Sequence, residues 1–107
     1  DVAGRNTLLV DDMTSTAGTL CAAAQLLEKA GAKSVRAAVS HSLLAEKGIL
    51  RLKNSPIVEL VTTNTIPQRD CRDDCQVTVL SVADLLAEAI MRIHNGQSVS
   101  SLFEIEK

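Results

Sequence analysis

The sequence predicts an α/β fold with a mainly parallel sheet and flanking helices. Short apolar runs alternate along the chain with segments whose apolar residues recur at helical spacing. Strands that alternate with helices are joined by right-handed crossovers, which make neighbouring strands parallel. The 107 residues, 46% of them hydrophobic, suffice for one compact domain and are too few for two.

The first half of the chain supplies two strands and two helices. Residues 7–10, "TLLV", predict a buried strand, and the apolar spacing that starts at Leu20 predicts a helix that ends at Gly31. Residues 34–40 predict a second strand. Residues 42–52, "SLLAEKGILRL", predict a poorer helix because a glycine interrupts it.

The second half continues the alternation. Residues 57–63, "IVELVTT", and residues 76–81, "QVTVLS", predict a third and a fourth strand. A long amphipathic helix is predicted last, because apolar residues recur at the spacing i, i+3, i+4, i+7: Val82, Leu85, Leu86, Ala89, Ile90 and Ile93.

Composition excludes several classes of function. The formal net charge is −2 and the chain has no Trp or Tyr, so it offers neither a basic face nor aromatic stacking platforms for nucleic acid. The apolar runs are too short for a transmembrane helix, and the amino terminus lacks a signal-peptide pattern. We therefore expect a cytoplasmic protein.

The cysteines do not indicate a disulfide framework. Cys21, Cys71 and Cys75 are odd in number and lack a secretory context, so we expect reduced thiols. The "CRDDC" pair matches no common zinc spacing, and both histidines lie far away in sequence, so no metal site is predicted. Residues 68–76, "QRDCRDDCQ", are expected to form an exposed loop.

The junction after the first strand carries the most chemistry. In a parallel α/β sheet, ligands bind at the carboxyl ends of strands, where the loop of residues 11–18 is predicted to lie. Hydroxyl groups, small residues and the free N–H groups of the following helix favour an anion such as phosphate there; these residues are Ser15, Thr16, Ala17, Gly18 and Thr19.

Two carboxylates precede this junction. Asp11 and Asp12 would repel a bare phosphate, but they are suited to accept hydrogen bonds from nearby hydroxyl groups or to hold a hard cation. A sugar phosphate would suit both parts of the junction, because its phosphate fits the loop and its hydroxyl groups can donate to the carboxylates. The alternative is that these residues serve only as caps and turn formers, as they do in many strand-to-helix turns.

The residues also resemble a known family. The segment "VDDMTSTAGTL" looks like the ribose 5-phosphate loop of the ribose-phosphate pyrophosphokinases (PRPP synthetases), which have the type I phosphoribosyltransferase fold. The family's C-terminal half has similar segments in the same order: "DVAGR", "LEKAGAKSV", "TNTIP", "LLAEAI" and "RIHNGQSVSSLF". The last two are typical of the synthetases rather than of phosphoribosyltransferases in general.

The resemblance implies an activity and a placement. Ribose-phosphate pyrophosphokinases transfer the pyrophosphoryl group of ATP to ribose 5-phosphate, with Mg²⁺, and make PRPP for nucleotide biosynthesis. It implies that Asp11 and Asp12 bind the ribose hydroxyls and that residues 15–19 bind the 5-phosphate. Residues 1–107 would be a C-terminal phosphoribosyltransferase-like part of a longer protein, whose ATP-binding domain precedes Asp1.

Further expectations follow from the same resemblance. Without the ATP-binding residues we expect the chain alone to be inactive. Family members form dimers and hexamers, and a partial domain exposes apolar surface, so we expect a homo-oligomer. The family's regulatory phosphate or ADP site implies such a role for Ser98, Ser100 and Phe103; a packing anchor is the alternative for Phe103.

The sequence departs from the family pattern at the junction. Ser15 stands where the family usually has Asp, and Ala17 where it usually has Gly, which costs about 1 kcal/mol if φ is positive there. Of the family's Thr-His-Gly segment after the second strand, only His41 remains. A non-catalytic regulatory homologue is therefore an alternative, whereas the "NGQSVSSLF" tail argues against a PRPP-consuming phosphoribosyltransferase.

Neither histidine is predicted to be catalytic. His41 lies at a predicted strand end, where a histidine is more often a hydrogen-bonded structural residue than a base. His94 lies near the carboxyl end of the last helix, where a cation interacts favourably with the helix dipole.

Overall fold

A computed structural model describes residues 1–68 and 76–104 of the chain. The strands are β1 (Asn6–Thr14), β2 (Ser34–Ser42), β3 (Ile57–Thr63) and β4 (Val77–Leu80). The helices are α1 (Gly18–Lys29), α2 (Glu46–Lys53) and α3 (Ala83–His94), followed by a short 3₁₀ helix, Ser100–Phe103. Every predicted strand and helix is present.

The four strands form one parallel sheet in the order β1-β2-β3-β4. The predicted α/β fold with a mainly parallel sheet is therefore confirmed. Because all strands run in the same direction, their carboxyl ends meet at one edge, where Thr14 of β1 pairs with Ser42 of β2. Thr63 of β3 pairs with Leu80 of β4 at the same edge.

Helices α1 and α2 cover one face of the sheet and contact each other. Their apolar side chains pack against the inward-facing residues of β2 and β3. Buried positions alternate along β2, whereas in β3 a register shift after Ile57 moves the next buried residue to Leu60. The buried core consists of Ala17, Leu20, Cys21, Ala24, Val35, Ala37, Val39, Leu44, Leu52, Ile57 and Leu60. Cys21 is a free thiol in this core, as expected.

Strand β1 is longer than predicted. It continues four residues past Val10, to Thr14, because parallel pairing with β2 extends through Asp11, Met13 and Thr14. The ladder hydrogen bonds of the backbone do not depend on side-chain polarity, so the polar residues of "DDMT" join the strand. The predicted loop of residues 11–18 is wrong in its extent; only residues 15–17 separate β1 from α1.

Helix α1 ends at Lys29, and Gly31 is the residue that stops it, as predicted. The Ala32 N–H donates to Leu27 O at 3.1 Å and the Gly31 N–H donates to Glu28 O at 3.0 Å, the two bonds of a Schellman motif. Gly31 has φ +91°, a left-handed conformation that costs glycine nothing.

The opposite face of the sheet and helix α3 carry exposed apolar residues. On β1, Leu8 is 59% and Val10 75% exposed. Within the described ranges, α3 buries none of its residues and packs extensively on no other element. Phe103 is 80% exposed, so the alternative that it anchors the tail by packing is wrong for the part of the chain described. None of the helices traced in the structure is long and apolar enough to cross a lipid bilayer.

Candidate functional site

The β1–α1 junction (residues 15–19) encloses a small cavity at the carboxyl edge of the sheet. Its volume is about 180 Å³, and it is lined by Asp11, Met13, Thr14, Leu20 and all five junction residues. Asp11 and residues 15–19 were predicted to act together, and the structure brings them together. Asp12 is not among the residues that line this cavity.

Ala17 has the unusual backbone conformation that the junction requires. Its φ of 60° and ψ of 10° place it in the left-handed region directly before Gly18, the first residue of α1. Its side chain is only 2% exposed. The condition under which its methyl group costs about 1 kcal/mol, a positive φ, is therefore met. The chain turns sharply from strand to helix at this residue.

Backbone N–H groups are the main donors at the start of α1. The Cys21 N–H donates to Ala17 O at 2.9 Å, which closes the first helical turn. The preceding N–H groups of an α-helix lack intrahelical acceptors. The Gly18 N–H makes one long contact, 3.4 Å, with Thr16 Oγ1, and no side chain caps the helix. Together with the helix dipole, these donors favour an anion.

The carboxylates lie beside the junction. Asp11 and Asp12 are both exposed, and the Asp12 N–H donates to Asp11 Oδ1 at 2.8 Å. Consecutive strand residues point to opposite faces, which explains why only Asp11 reaches the cavity. Asp11 is thus placed to accept hydrogen bonds from a ligand whose anionic end occupies the junction.

A resident metal ion does not fit the described residues. Residues 1–68 and 76–104 contain no group of three or more His, Cys, Asp or Glu side chains close enough to hold one. Mg²⁺ is commonly held by one or two carboxylates together with substrate phosphates and water. A pair of adjacent carboxylates such as Asp11 and Asp12 is compatible with a Mg²⁺ ion that arrives with its substrate.

Helix α2 contacts the junction through residues that do not line the cavity. Arg51 Nη1 donates to Thr16 O at 3.2 Å, and a Cβ placed on Gly48 would lie 2.7 Å from Ser15 O. Sequence reasoning missed both residues. The signal was the glycine inside the second helix, because a helix-interior glycine has an energetic cost that close packing often explains.

A larger cleft lies between α1 and α2. Its volume is about 500 Å³, and it is lined by Gly18, Cys21, Ala22, Gln25, Leu50, Arg51 and Asn54. This cleft shares only Gly18 with the junction cavity. It offers a second place on this side of the molecule where a small ligand would fit.

A polar network joins the carboxyl ends of β2 and β3. His41 Nδ1 and Thr65 Oγ1 lie 2.8 Å apart, and Thr63 Oγ1 donates to Ser40 O at 2.6 Å. His41 is thus a hydrogen-bonded residue at a strand end, as predicted. His94 lies in the last turn of α3, also as predicted.

The predicted regulatory residues lie far along the chain from the junction. Ser98 Oγ donates to Ser100 Oγ at 3.1 Å, and Arg92 Nη1 donates to Ser98 O at 3.4 Å. Arg92 also pairs with Glu88 at 2.9 Å and contacts the Ser101 hydroxyl. Arg92 thus contacts Ser98 and Ser101, Ser100 is joined to Ser98, and Phe103 is largely exposed to solvent.

Most of the predicted exposed loop, with Cys71 and Cys75, lies outside the described residues. At its start, Gln68 is half-buried, and its amide donates to Ser42 O at 3.2 Å and to Ile66 O at 2.8 Å. The expectation of exposure is therefore wrong for Gln68, because its side chain bonds backbone carbonyls near the sheet edge.

The fold and the junction define an α/β domain with a sharp strand-to-helix turn at the carboxyl edge of a parallel sheet. A family model described as "Phosphoribosyl synthetase-associated domain" matches residues 1–104. The chain belongs to this family.

Known relatives agree with this assignment. A ribose-phosphate pyrophosphokinase from Gloeobacter violaceus is 48% identical over 103 residues, and one from Caldanaerobacter subterraneus is 50% identical over 103 residues. Each match covers 96% of this chain, and 31% and 33% of the respective relative. The chain thus spans about a third of the length of these proteins.

A solved structure gives the same result. The crystal structure of phosphoribosylpyrophosphate synthetase from Mycobacterium smegmatis superposes with a TM-score of 0.83 and 38% identity. The superposed region covers 90% of this chain and 32% of the synthetase chain. The resemblance to the ribose-phosphate pyrophosphokinases is confirmed at the level of the family.

Proposed function

We propose that the chain is the ribose 5-phosphate-binding, C-terminal part of a ribose-phosphate pyrophosphokinase. The observation that carries the proposal is the β1–α1 junction: a left-handed Ala17 starts a helix whose first N–H groups border the same cavity as Asp11. The family assignment and the names of the relatives support the pyrophosphokinase part of the proposal.

The junction would hold the substrate at two points. Residues 15–19 would donate backbone N–H and hydroxyl hydrogen bonds to the 5-phosphate, at the positive end of the α1 dipole. Asp11 and Asp12 would accept hydrogen bonds from the ribose hydroxyls, with Asp11 in the cavity itself. Two fixed ends orient the anomeric hydroxyl for attack, which is the main contribution that positioning makes to phosphoryl transfer.

The complete protein would then make PRPP from ATP and ribose 5-phosphate in nucleotide biosynthesis. Mg²⁺ bound to the substrate oxygens would neutralise developing charge. The ATP-binding residues would lie outside this chain, so we expect no PRPP formation by residues 1–107 alone. We further propose a cytoplasmic homo-oligomer, dimer or hexamer, in which Ser98, Ser100 and Phe103 contribute to a regulatory phosphate or ADP site.

The second candidate is a non-catalytic homologue that assembles with active synthetases. Ser15 favours it, because a hydroxyl replaces the carboxylate that the family usually has at this position of the junction. A PRPP-consuming phosphoribosyltransferase is a weaker alternative, since the relatives named above are synthetases.

Calorimetric titration with ribose 5-phosphate, inorganic phosphate and free ribose tests the proposal. We expect ribose 5-phosphate to bind in the millimolar range or tighter and free ribose to bind far more weakly. Thr19→Val removes a junction hydroxyl and should weaken both phosphate ligands about tenfold, since hydrogen bonds to charged groups are the stronger ones. Absence of binding by the folded chain would contradict the ribose 5-phosphate role.

Asp11→Asn separates the two halves of the site. It should weaken ribose 5-phosphate but leave inorganic phosphate unchanged or tighter, because the carboxylate accepts from hydroxyls and repels phosphate. Asp84→Asn is the matched control, since Asp84 is an exposed carboxylate in the first turn of α3. An equal effect of both substitutions would show that only net charge matters.

A further inference from the structure

Helix α2 touches the β1–α1 junction through two residues on one helical face. Gly48 and Arg51 are three positions apart, which places them side by side on the helix surface. Neither lines the junction cavity. Both therefore contact the backbone carbonyls of the junction without forming part of the cavity lining.

Arg51 fixes the direction of one peptide group. Its Nη1 donates to Thr16 O at 3.2 Å, a contact between residues 35 positions apart. The following peptide bond is trans, and in a trans peptide the C=O and N–H bonds point in opposite directions. A Thr16 carbonyl held toward α2 therefore directs the Ala17 N–H away from α2.

Gly48 fixes the direction of the preceding peptide group, which joins Ser15 to Thr16. A Cβ on this buried glycine would lie 2.7 Å from Ser15 O and 2.7 Å from Leu44 Cδ2, closer than real Cβ atoms approach. The bare Cα lets the helix lie directly against the Ser15 carbonyl. That carbonyl also lies on the α2 side, so the Thr16 N–H points away from α2.

We propose that Arg51 and Gly48 are positioning residues that present the Thr16 and Ala17 N–H groups to the phosphate of the substrate. Two successive carbonyls turned toward α2 leave two successive N–H groups turned away from it, and both residues line the junction cavity. Such a row of N–H groups forms an anion-binding concavity. The inference rests on the proposed function, because it takes the ligand to be ribose 5-phosphate.

The first test compares two substitutions on α2 that each remove one positive charge. Arg51→Met removes the bond to Thr16, whereas Lys47→Met, at an exposed position of the same helix, is the matched control. Calorimetry with inorganic phosphate and with ribose 5-phosphate should show about tenfold weaker binding for R51M and less than twofold for K47M. Equal losses would overturn the proposal, because they would assign the effect to charge alone.

The second test needs no ligand. The three-bond HN–Hα coupling and the Cβ chemical shift of Ala17 report whether its φ is positive. In R51M, and in Gly48→Ala if R51M does not fold, these values should move away from those of the unsubstituted chain. Unchanged Ala17 values together with unchanged phosphate affinity in the folded variants would overturn the proposal.

The two tests also separate this inference from the proposed function. If the unsubstituted chain binds no phosphate, the ribose 5-phosphate role fails. A displaced Ala17 in R51M would then still establish that α2 positions the junction, and an undisplaced Ala17 would refute that as well.

Discussion

Ala17 carries the most unusual backbone conformation in the described part of the chain. It is the one non-glycine residue there with a positive φ, and it is also buried, at 2% exposure. A left-handed residue at this point lets a straight strand turn into a helix within three residues. The junction therefore depends on a residue small enough to tolerate both the conformation and the lack of space.

Substitutions at Ala17 should separate these two requirements. Ala17→Gly relieves about 1 kcal/mol of backbone strain but loses a buried methyl group of similar value, so the free energy of unfolding should change by less than about 0.5 kcal/mol. Ala17→Val places a β-branched residue at positive φ in a full site and should cost about 2 kcal/mol or more. Urea unfolding measures both. Equal losses for Gly and Val would contradict the left-handed assignment.

At this scale the sequence predicts local features and misses distant ones. The hydroxyl and small residues of the junction are contiguous, so their proximity to a helix start follows from sequence order. Arg51 lies 35 residues from Thr16 and meets it only because α1 and α2 pack on the same face of the sheet. No local pattern marks such a contact.

The helices and strands differ in how well their ends were predicted. Helix α1 ends where Gly31 provides the left-handed residue of a Schellman motif. A single glycine in the sequence is therefore enough to predict this helix end. Strand β1 ends where pairing with β2 ends, and the sequence of β1 alone does not contain that information. The sequence therefore predicts a loop at the polar last residues of β1.

Gly31 offers a test of this account of α1. A Cβ at this position would meet Ala3 at 3.6 Å, an ordinary contact, so only the backbone conformation opposes a side chain. Gly31→Ala should lower the free energy of unfolding by about 1 kcal/mol, and Gly31→Asn by less, because asparagine tolerates the left-handed region. Thermal or urea unfolding measures both variants. If neither substitution lowered the free energy of unfolding, a left-handed Gly31 would not be needed to end α1.

At the scale of the molecule, residues 1–68 and 76–104 leave two apolar surfaces uncovered. One is the sheet face with Leu8 and Val10, and the other is α3, on which Ile90 is 66% and Ile93 69% exposed. The relatives are about three times as long, so their additional residues are available to cover such surfaces. In the 107-residue chain, we propose that a second copy covers the sheet face.

Sedimentation velocity tests this prediction. The average mass should rise with protein concentration, because self-association removes apolar surface from water. Val10→Lys should weaken the association at least tenfold with little effect on folding, since Val10 is 75% exposed. Gln25→Lys, which adds the same charge at an exposed position of α1, should have no effect. A monomer at every concentration would refute the prediction.

The proposed function depends on binding of the phosphate of ribose 5-phosphate at the β1–α1 junction. An amide chemical-shift titration of the ¹⁵N-labelled chain with ribose 5-phosphate measures this binding residue by residue. We predict that the largest saturable shifts occur at residues 15–19, with inorganic phosphate moving the same amides. Shifts that leave these amides unchanged and gather instead around Ala22, Gln25 and Asn54, in the cleft between α1 and α2, would contradict the proposed function.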